Sequence, residues 1–381
     1  MKRYLAHRGE RMSQPILLFA GLLILILVAC SSSPQAEPVL TTAPVTMPAG
    51  TLTAAPIPTP TSMPPFLPVL DVIRAENAGE VLLLQTLSIP DFSRGAVSQC
   101  SLSFSPDGSL LVGACGTNLV PVWGVDSGEI RFMLLSEPSH EVAVAFSPDG
   151  GQIVLGGFTG ELRLFSVADG SLLGSFPLSA SPLWDLEFAP DGDQLAAAAF
   201  SDGVFMWQST PPQVVWANFA SSSTVSPLSV AIHPSGDLVA IGTVMDGIFI
   251  LDRDTGESLH RMQVSAPIGD VAFNPEGTLL ATGSDDNRIR LWSTADYSLV
   301  STWQGHSRWV NGVAFTPDGS LLVSGSHDYA VGVWEVESGE LLALLPGHEN
   351  VVLRVAVNPQ GTLIASISWD GTIRLWGVPG E

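Results

Sequence analysis

The sequence predicts an all-β fold built from seven repeated units of about 42 residues. A short turn recurs seven times, first as "FSPDG" at residues 104–108, and its prolines lie 41–44 residues apart. Seventeen residues after each proline stands a large apolar residue; these are Trp123, Phe165, Trp207, Leu251, Trp292, Trp334 and Trp376. A fixed period near 42 residues with strand-like segments predicts a β-propeller with one blade per repeat.

Each repeat is predicted to form four antiparallel strands, named a to d. In the sixth repeat, strand a ends at Phe315, and the later strands are predicted at Leu321–Ser326, Ala330–Glu335 and Glu340–Leu345. Turn residues separate these segments at intervals that suit short antiparallel connections. One blade cannot bury both of its faces alone, so the blades are expected to stack around an axis.

The repeated turn joins strands a and b. Proline presets φ at the second turn position, aspartate favours the third, and glycine accepts the positive φ that follows. An aspartate beside a glycine in a loop can also bind a metal ion. Here, however, Asp107, Asp149, Asp191 and Asp318 are replaced by Ser235, Glu276 and Gln360 in other copies. Such free replacement indicates turn formers and not ligands.

The later repeats carry motifs by which the chain resembles WD40-repeat proteins over residues 71–381. The motifs are "GH" at 305–306 and 347–348, S-x-D turns at 326–328 and 368–370, and "IRLW" at 289–292 and 373–376. The resemblance implies a seven-bladed WD40 β-propeller, non-catalytic, with no cofactor. It also implies buried His-Ser-Asp-Trp tetrads, which by position are His306, Ser324, Asp328 and Trp334, and His348, Ser366, Asp370 and Trp376.

The tetrad pattern weakens towards the N-terminal repeats. The fifth repeat keeps Thr282, Asp286 and Trp292 but has Val264 where the histidine is expected. The first four repeats lack a GH pair, and their turn aspartates, such as Asp202, stand one residue later. Tetrads are therefore not expected in the first four blades.

The seventh repeat ends after strand c, since only "GVPGE" follows Trp376. Near the start of the propeller region, "AENAGEVLLLQTL" at residues 75–87 aligns with the c–d segment that follows Trp334. We therefore expect Val81–Leu87 to supply strand d of the last blade. This interlock removes the free edges that an open sheet would expose.

The first 70 residues predict export and membrane attachment. A basic start and a short apolar run lead to "LVAC" at Leu27–Cys30, which resembles a bacterial lipobox. The resemblance implies a signal peptide over residues 1–29 and lipidation of Cys30 on the outer side of a bacterial membrane, the alternative being an uncleaved anchor. Residues 30–70 are rich in proline and threonine and are expected to form a disordered tether.

The charge balance argues against nucleic acid as a partner. The chain carries a formal net charge of −22, and its single lysine is Lys2. Phosphate backbones would be repelled by so acidic a surface. The alternative explanation of the acidity is that it keeps a monomeric propeller soluble.

Sequence motifs of enzymes are missing: there is no HExxH, GxSxG or phosphate-binding loop. The enzyme alternative is a propeller hydrolase or lactonase with a metal at the mouth of the central channel, where His140 and His327 are the candidate ligands. A role in envelope assembly is a further alternative that rests on architecture alone.

Cys100 and Cys115 lie on strands a and b of the first blade, near opposite positions. Outside the cytoplasm they are able to form a disulfide, and two buried free thiols are the alternative.

The predicted function is a membrane-tethered, extracytoplasmic scaffold that binds a protein or peptide partner. WD40 proteins most often use the face formed by the d–a loops and the b–c turns, and aromatic residues are frequent at interface hot spots. The positions of this sequence that correspond to that face are His140, Phe158, Trp184, Phe200, Leu228, Asp285, Trp309, Asn311, His327, Val351, Leu353 and Trp369. Packing of these rings between blades is the alternative.

Overall fold

The computed structural model describes residues 67–92, 99–136, 140–219 and 225–380. Within them the chain forms seven antiparallel sheets and one short 3-10 helix, η1 (Ala78–Glu80). The predicted signal peptide, Cys30 and nearly all of the predicted tether lie outside the described residues. Within the described residues, no helix has the length and apolar character needed to cross a bilayer.

The strands β1 to β29 are numbered in chain order. Two of them precede the first repeat: β1 (Leu70–Asp71) and β2 (Leu82–Ser88). Blades 1 to 3 contain β3 (Ser101–Phe104), β4 (Leu110–Ala114), β5 (Leu119–Gly124), β6 (Ile130–Leu135); β7 (Glu141–Phe146), β8 (Gln152–Gly157), β9 (Glu161–Ser166), β10 (Leu172–Pro177); and β11 (Leu183–Phe188), β12 (Gln194–Ala199), β13 (Gly203–Ser209), β14 (Pro212–Asn218).

Blades 4 to 7 continue the same order of strands. They contain β15 (Pro227–Ile232), β16 (Leu238–Thr243), β17 (Ile248–Asp252), β18 (Ser258–Met262); β19 (Ile268–Phe273), β20 (Leu279–Ser284), β21 (Arg288–Ser293), β22 (Leu299–Gln304); β23 (Val310–Phe315), β24 (Leu321–Ser326), β25 (Val331–Glu335), β26 (Leu341–Leu345); and β27 (Val352–Val357), β28 (Leu363–Ser368), β29 (Thr372–Pro379).

The predicted all-β, seven-bladed propeller is confirmed, and the strand bounds in blade 6 agree closely with expectation. β23 ends at Phe315 and β24 has the predicted bounds, while β25 and β26 each begin one residue later than predicted. Six sheets contain four strands in chain order. The innermost strand of each blade is strand a and the outermost is strand d.

The ring closes on the last blade, as the sequence predicts. β2 pairs with β29 from Leu82 opposite Gly377 to Ser88 opposite Thr372, and so acts as strand d of blade 7. β1 adds a second, unpredicted contact, because Leu70 pairs with Pro379. The N–H of Ile73 donates to the carbonyl of Gly361 at 2.8 Å, which places this entry segment beside the a–b turn of blade 7.

The seven repeated turns have the expected geometry. Their glycines have φ between 69° and 80°, and each glycine N–H donates to the carbonyl three residues earlier at 2.7–2.9 Å. In the first copy, Asp107 accepts hydrogen bonds from the Ser105 hydroxyl at 2.6 Å and the Ser109 N–H at 3.0 Å. These bonds lower the pKa of Asp107. The aspartate is thus occupied within its own turn.

The core lies between neighbouring blades. Strands b and c are largely buried, whereas strand d is exposed on its outer face. The cluster between blades 1 and 2, for example, joins Val122 and Leu134 to Phe146, Leu155 and Phe165. Each buried side chain of this size stabilises the fold by roughly 1.5–3 kcal/mol relative to exposure. Every sheet therefore depends on both neighbours for its stability.

Cys100 and Cys115 form a disulfide in blade 1. Ser101 pairs with Ala114, so the two cysteines occupy the next opposite positions on strands a and b, with 4.3 Å between their Cα atoms. Both are buried. The bond ties together the first two strands of the ring.

Candidate functional site

Two ends of the propeller are distinguished below. The loop face is formed by the d–a loops and b–c turns, and the turn face by the a–b and c–d turns. On the loop face, a hydrogen bond recurs in blades 2 to 7 from a b–c turn N–H to a d–a loop carbonyl. The donors are Phe158, Phe200, Val244, Asp285, His327 and Trp369, at 2.8–3.3 Å. The backbone of this face is therefore held at the same point in six blades.

In blade 6, the four predicted tetrad residues form one hydrogen-bonded chain. The Trp334 Nε1–H donates to the Ser324 hydroxyl at 2.7 Å, and that hydroxyl lies 2.7 Å from His306 Nε2. His306 Nδ1 lies 3.0 Å from the Asp328 carboxylate. If serine donates to Nε2, Nδ1 carries the proton and donates to aspartate. Each polar atom of the chain then has a partner in the core.

Blade 7 contains the same chain. Trp376 Nε1 donates to Ser366 at 2.9 Å, Ser366 lies 2.8 Å from His348 Nε2, and His348 Nδ1 lies 2.8 Å from Asp370. Burial opposes ionisation of Asp370, but the hydrogen bonds from His348 and Thr372 lower its pKa below the ordinary range. In blade 6, His306 similarly lowers the pKa of Asp328 to about 2 against the effect of burial.

The tetrad aspartates also position the loops of the loop face. Asp328 accepts a hydrogen bond from the Ser307 N–H at 2.9 Å, and Asp370 accepts one from the Glu349 N–H at 3.0 Å. Both donors lie in d–a loops, immediately after the GH pairs. The buried chain thus connects the core of each blade to the loop that precedes strand a.

The other blades hold these loops differently. In blade 5, Trp292 Nε1 donates to Thr282 at 3.2 Å, and Arg290 donates to Asp286 in place of a histidine. In blade 3, Asp202 accepts directly from the backbone N–H groups of Ala180 and Ser181 at 2.8 and 3.0 Å. The strand-b serine is replaced by apolar or small residues in blades 1 to 4: Gly113, Leu155, Ala197 and Ile241.

The structure divides the predicted partner-face residues into two groups. Trp184, Phe200, Leu228, Val351 and Leu353 are buried. His140 is exposed, whereas Phe158, Asp285, Trp309, Asn311, His327 and Trp369 are partly buried. The rings of Trp184 and Phe200 stack on each other with centroids 4.4 Å apart. The residues of the buried group therefore pack between blades and do not form an accessible surface.

A β-bulge at the start of strand a accounts for three of the five buried residues. In blades 2 to 7, the a–b register shifts at the residue six before the repeat proline, which is Trp184 in blade 3, Leu228 in blade 4 and Leu353 in blade 7. A bulge redirects the side chain of the extra residue. Asn311 is the bulged residue of blade 6, and its amide donates to the Val352 carbonyl of blade 7 at 3.0 Å.

Three rings on blades 6 and 7 form what we call the aromatic cluster: Trp309, His327 and Trp369. The His327 ring lies 4.6 Å from Trp309 and 6.0 Å from Trp369, centroid to centroid. Burial and the nearby Arg308 lower the pKa of His327 to about 4, and Asp328 only partly opposes this. His327 is therefore neutral at pH 7. The cluster is an uncharged, partly accessible aromatic surface.

The central channel contains a second feature, which the sequence analysis did not identify. A cavity of about 530 Å³ is lined by the strands a of all seven blades. The residue three before each repeat proline is alanine in five blades, Ser103 in blade 1 and Glu187 in blade 3. Small residues keep this space open. The alternation of Asp185 and Glu187 within apolar β11 was the signal available in the sequence.

Arg354 crosses the channel from blade 7. Its Nη1 donates to the carbonyls of Asn311 at 3.0 Å and Gly269 at 3.2 Å, and its guanidinium lies 3.8–4.0 Å from Asp185 and Asp270. Gly312 permits the close approach of β27 to β23, since a Cβ there would stand 2.9 Å from the Arg354 Cα. One buried cation therefore links blades 3, 5, 6 and 7.

The channel carboxylates are occupied by the inner strands. Asp185 accepts from the Val230 N–H at 3.0 Å and Glu187 from the Ile232 N–H at 3.2 Å, so blade 3 satisfies the inner edge of blade 4. Asp270 of blade 5 likewise accepts from the Val313 N–H of the neighbouring blade 6, at 2.9 Å. These hydrogen bonds give the carboxylates a structural role at the edges that face the channel.

Burial and the charge of Asp185 raise the pKa of Glu187 to about 8. Burial also raises the pKa of Asp185, although Arg354 acts in the opposite direction. Among the described residues, no group of three or more His, Cys, Asp or Glu side chains is arranged to hold a metal ion. His140 and His327, the ligands of the enzyme alternative, do not line the cavity. The cavity is thus lined by three acidic side chains and one arginine, without the histidines expected of a metal site.

Replacing Ser366 by alanine tests the tetrad. The change leaves the buried Trp376 N–H and His348 Nε2 without partners, so we expect the free energy of unfolding to fall by about 3 kcal/mol. Urea unfolding monitored by circular dichroism measures it. Ser320→Ala, in an exposed turn of blade 6, is the control and should change stability by less than about 0.5 kcal/mol. Equal effects of the two changes would contradict a buried hydrogen-bonded chain.

The channel predicts a stability that falls as pH rises. Because folding raises the pKa of Glu187, its contribution is complete below about pH 4.5 and is lost as pH rises towards 8. Glu187→Gln should flatten the decline in unfolding free energy between about pH 4.5 and 8 and exceed the unmodified protein in stability above pH 8. The exposed Glu129→Gln is the control. An unchanged profile in Glu187→Gln would refute the assignment.

Comparison with known proteins agrees with this architecture. Residues 256–293, 297–335 and 339–377 match the family described as "WD domain, G-beta repeat". Echinoderm microtubule-associated protein-like 2 of Rattus norvegicus is 33% identical over 114 residues, which cover 28% of this chain and 17% of that protein.

Two other relatives align over a similar length. Echinoderm microtubule-associated protein-like 1 of Homo sapiens is 28% identical over 111 residues, 28% of this chain and 13% of that protein. WD repeat-containing protein VIP3 of Arabidopsis thaliana is 28% identical over 106 residues, 27% of this chain and 32% of that protein. The chain spans less than a third of the length of each of these relatives. It contains WD40 repeats and forms a seven-bladed propeller, a fold typical of protein-interaction scaffolds.

Proposed function

We propose that the chain is a non-catalytic scaffold that binds a protein or peptide partner on its loop face, over blades 6 and 7. The observation that carries this proposal is the aromatic cluster, in which Trp309 and Trp369 remain partly accessible on either side of a neutral His327. Tryptophan and arginine are the residues most enriched at interface hot spots, and Arg308 is exposed beside the cluster.

Rigidity supports the same assignment. The cluster lies on the two blades that contain complete tetrads, and the d–a loops of both blades are held by Asp328 and Asp370. A pre-organised surface loses little conformational freedom on binding, which favours affinity. The loops beside the cluster are thus tied to the buried tetrads of the same two blades.

The polar groups of the central channel are occupied by structural hydrogen bonds, which does not favour a catalytic role. Asp185, Glu187 and Asp270 each accept a backbone N–H, and Arg354 is engaged by two carbonyls. We therefore propose no enzymatic function for the cavity.

We further propose that the scaffold is monomeric and attached to the outer side of a bacterial membrane. Support comes from the sequence: a basic start, a short apolar run, "LVAC" ending at Cys30, and a proline- and threonine-rich segment before the propeller. Lipid on Cys30 and on its amine would provide more than the single acyl chain that binds only marginally.

Alanine replacement of Trp309 and Trp369 tests the interaction face. Each change removes a partly accessible ring, so folding should be nearly unaffected while crosslinking to the partner in cells falls at least about tenfold. Mass spectrometry of the crosslinked complexes measures the capture. Phe132→Ala is the control, since Phe132 is a partly buried ring on the outer strand β6 of blade 1. Undiminished capture by both tryptophan variants would exclude this face.

Replacing Cys30 by serine tests the anchor. Without the thiol no lipid can be attached, so the protein should move from the membrane fraction to the soluble extracytoplasmic fraction or retain its signal peptide. Fractionation with intact-mass measurement checks both outcomes, and Cys100→Ser with Cys115→Ser is the control for general cysteine loss. An unmodified mass at Cys30 in the unaltered protein would contradict lipidation.

A further inference from the structure

We propose that the aromatic cluster recognises a proline-rich, extended segment of the partner by ring stacking. This inference rests on the proposed function, because it concerns the same face. It adds the chemical class of the bound segment: uncharged, rich in proline and in the polyproline II conformation.

The spacing of the rings fits such a segment. Trp309, His327 and Trp369 follow one another at 4.6 and 6.0 Å, so the outer rings are separated by no more than about 11 Å. A polyproline II helix rises about 3.1 Å per residue with three residues per turn, so residues i and i+3 present the same side about 9 Å apart. The upper bound of about 11 Å includes this distance, and at such a separation two prolines of one segment would contact both tryptophans.

Charge also favours an uncharged segment. His327 is neutral at pH 7, and burial together with Asp286 raises the pKa of Asp285, on the neighbouring blade, to about 7. The exposed residues flanking the cluster, Arg308 and Glu349, have opposite signs. The charges next to His327, those of Arg308 and Asp328, have opposite signs, so a charged segment of either sign would lose hydration against the rings and meet one charge of its own sign. A proline-rich segment avoids this cost.

The backbone hydrogen bonds of the loop face argue against the main alternative mode of recognition, in which a partner adds a strand to a sheet. Partners that add a strand to a sheet need free backbone groups, and here the His327 N–H donates to the Trp309 carbonyl and the Trp369 N–H to the Val351 carbonyl. Side-chain rings are what the cluster offers to a partner. Proline-rich segments are recognised by aromatic surfaces in this way, and their preformed helix loses little entropy on binding.

The test uses the purified full-length chain and fluorophore-labelled peptides of equal length, measured by fluorescence anisotropy. The probes are a proline decapeptide, a glycine-serine decapeptide, and acidic and basic glycine-based decapeptides. We expect saturable binding of the proline peptide at least about tenfold tighter than of the other three. Trp309→Ala and Trp369→Ala should each weaken it at least about tenfold, while Phe132→Ala should leave it unchanged within about twofold.

The outcomes separate this inference from the proposed function. Equal binding of all four peptides, tighter binding of a charged peptide, or no saturable binding of the proline peptide overturns the proline preference. If partner crosslinking still depends on Trp309 in that case, the interaction face stands and only its ligand class is wrong. If a tryptophan-to-alanine variant fails to fold, Trp369→Phe replaces it and should retain most of the binding. Peptide selectivity in the unaltered chain decides the inference even without variants.

Discussion

The whole structure depends on one constraint: each sheet must bury both faces against its neighbours, so the ring must close. Residues 67–92 meet this constraint by supplying the last strand of the last blade, with β2 paired along β29. Without β2 as its partner, β29 would have an unpaired edge, and blade 7 would be left with an uncovered face. The closing contact is therefore long-range in sequence, and the core of blades 7 and 1 includes residues from both ends of the described chain.

Two ways of holding the loops coexist around this ring. Blades 6 and 7 use a polar chain from tryptophan to aspartate, whereas blades 1 to 4 place apolar or small residues at the strand-b position and fix their loops by local contacts. A fully satisfied buried network specifies its geometry more narrowly than apolar packing does. The aromatic cluster and the complete tetrads occur on the same two blades.

Much of the fold could be predicted because its signals are local and repeated. The proline turns and the residue 17 positions later set the register of every blade, and the bounds of β24 were predicted correctly from alternation alone. β1 was missed because a two-residue strand leaves no pattern. The burial of Trp184 and Leu353 was missed because an alternating pattern does not show a bulge, and the bulge turns the loop-face position inward in those blades. The channel carboxylates were missed because the sequence pattern does not show which side of strand a faces the axis.

The place where the chain enters the propeller has a further consequence. The Gly380 N–H donates to the Val69 carbonyl, and the Ile73 N–H donates to the Gly361 carbonyl. Both hydrogen bonds lie at the end of the molecule that carries the a–b turns, whereas the aromatic cluster lies at the other end of the strands. Strands of five to eight residues separate the two ends by about 15–25 Å. The described chain therefore enters the propeller at the end away from the cluster. A contact at this entry segment and a contact at the cluster would lie at opposite ends of the blades, so neither would cover the other.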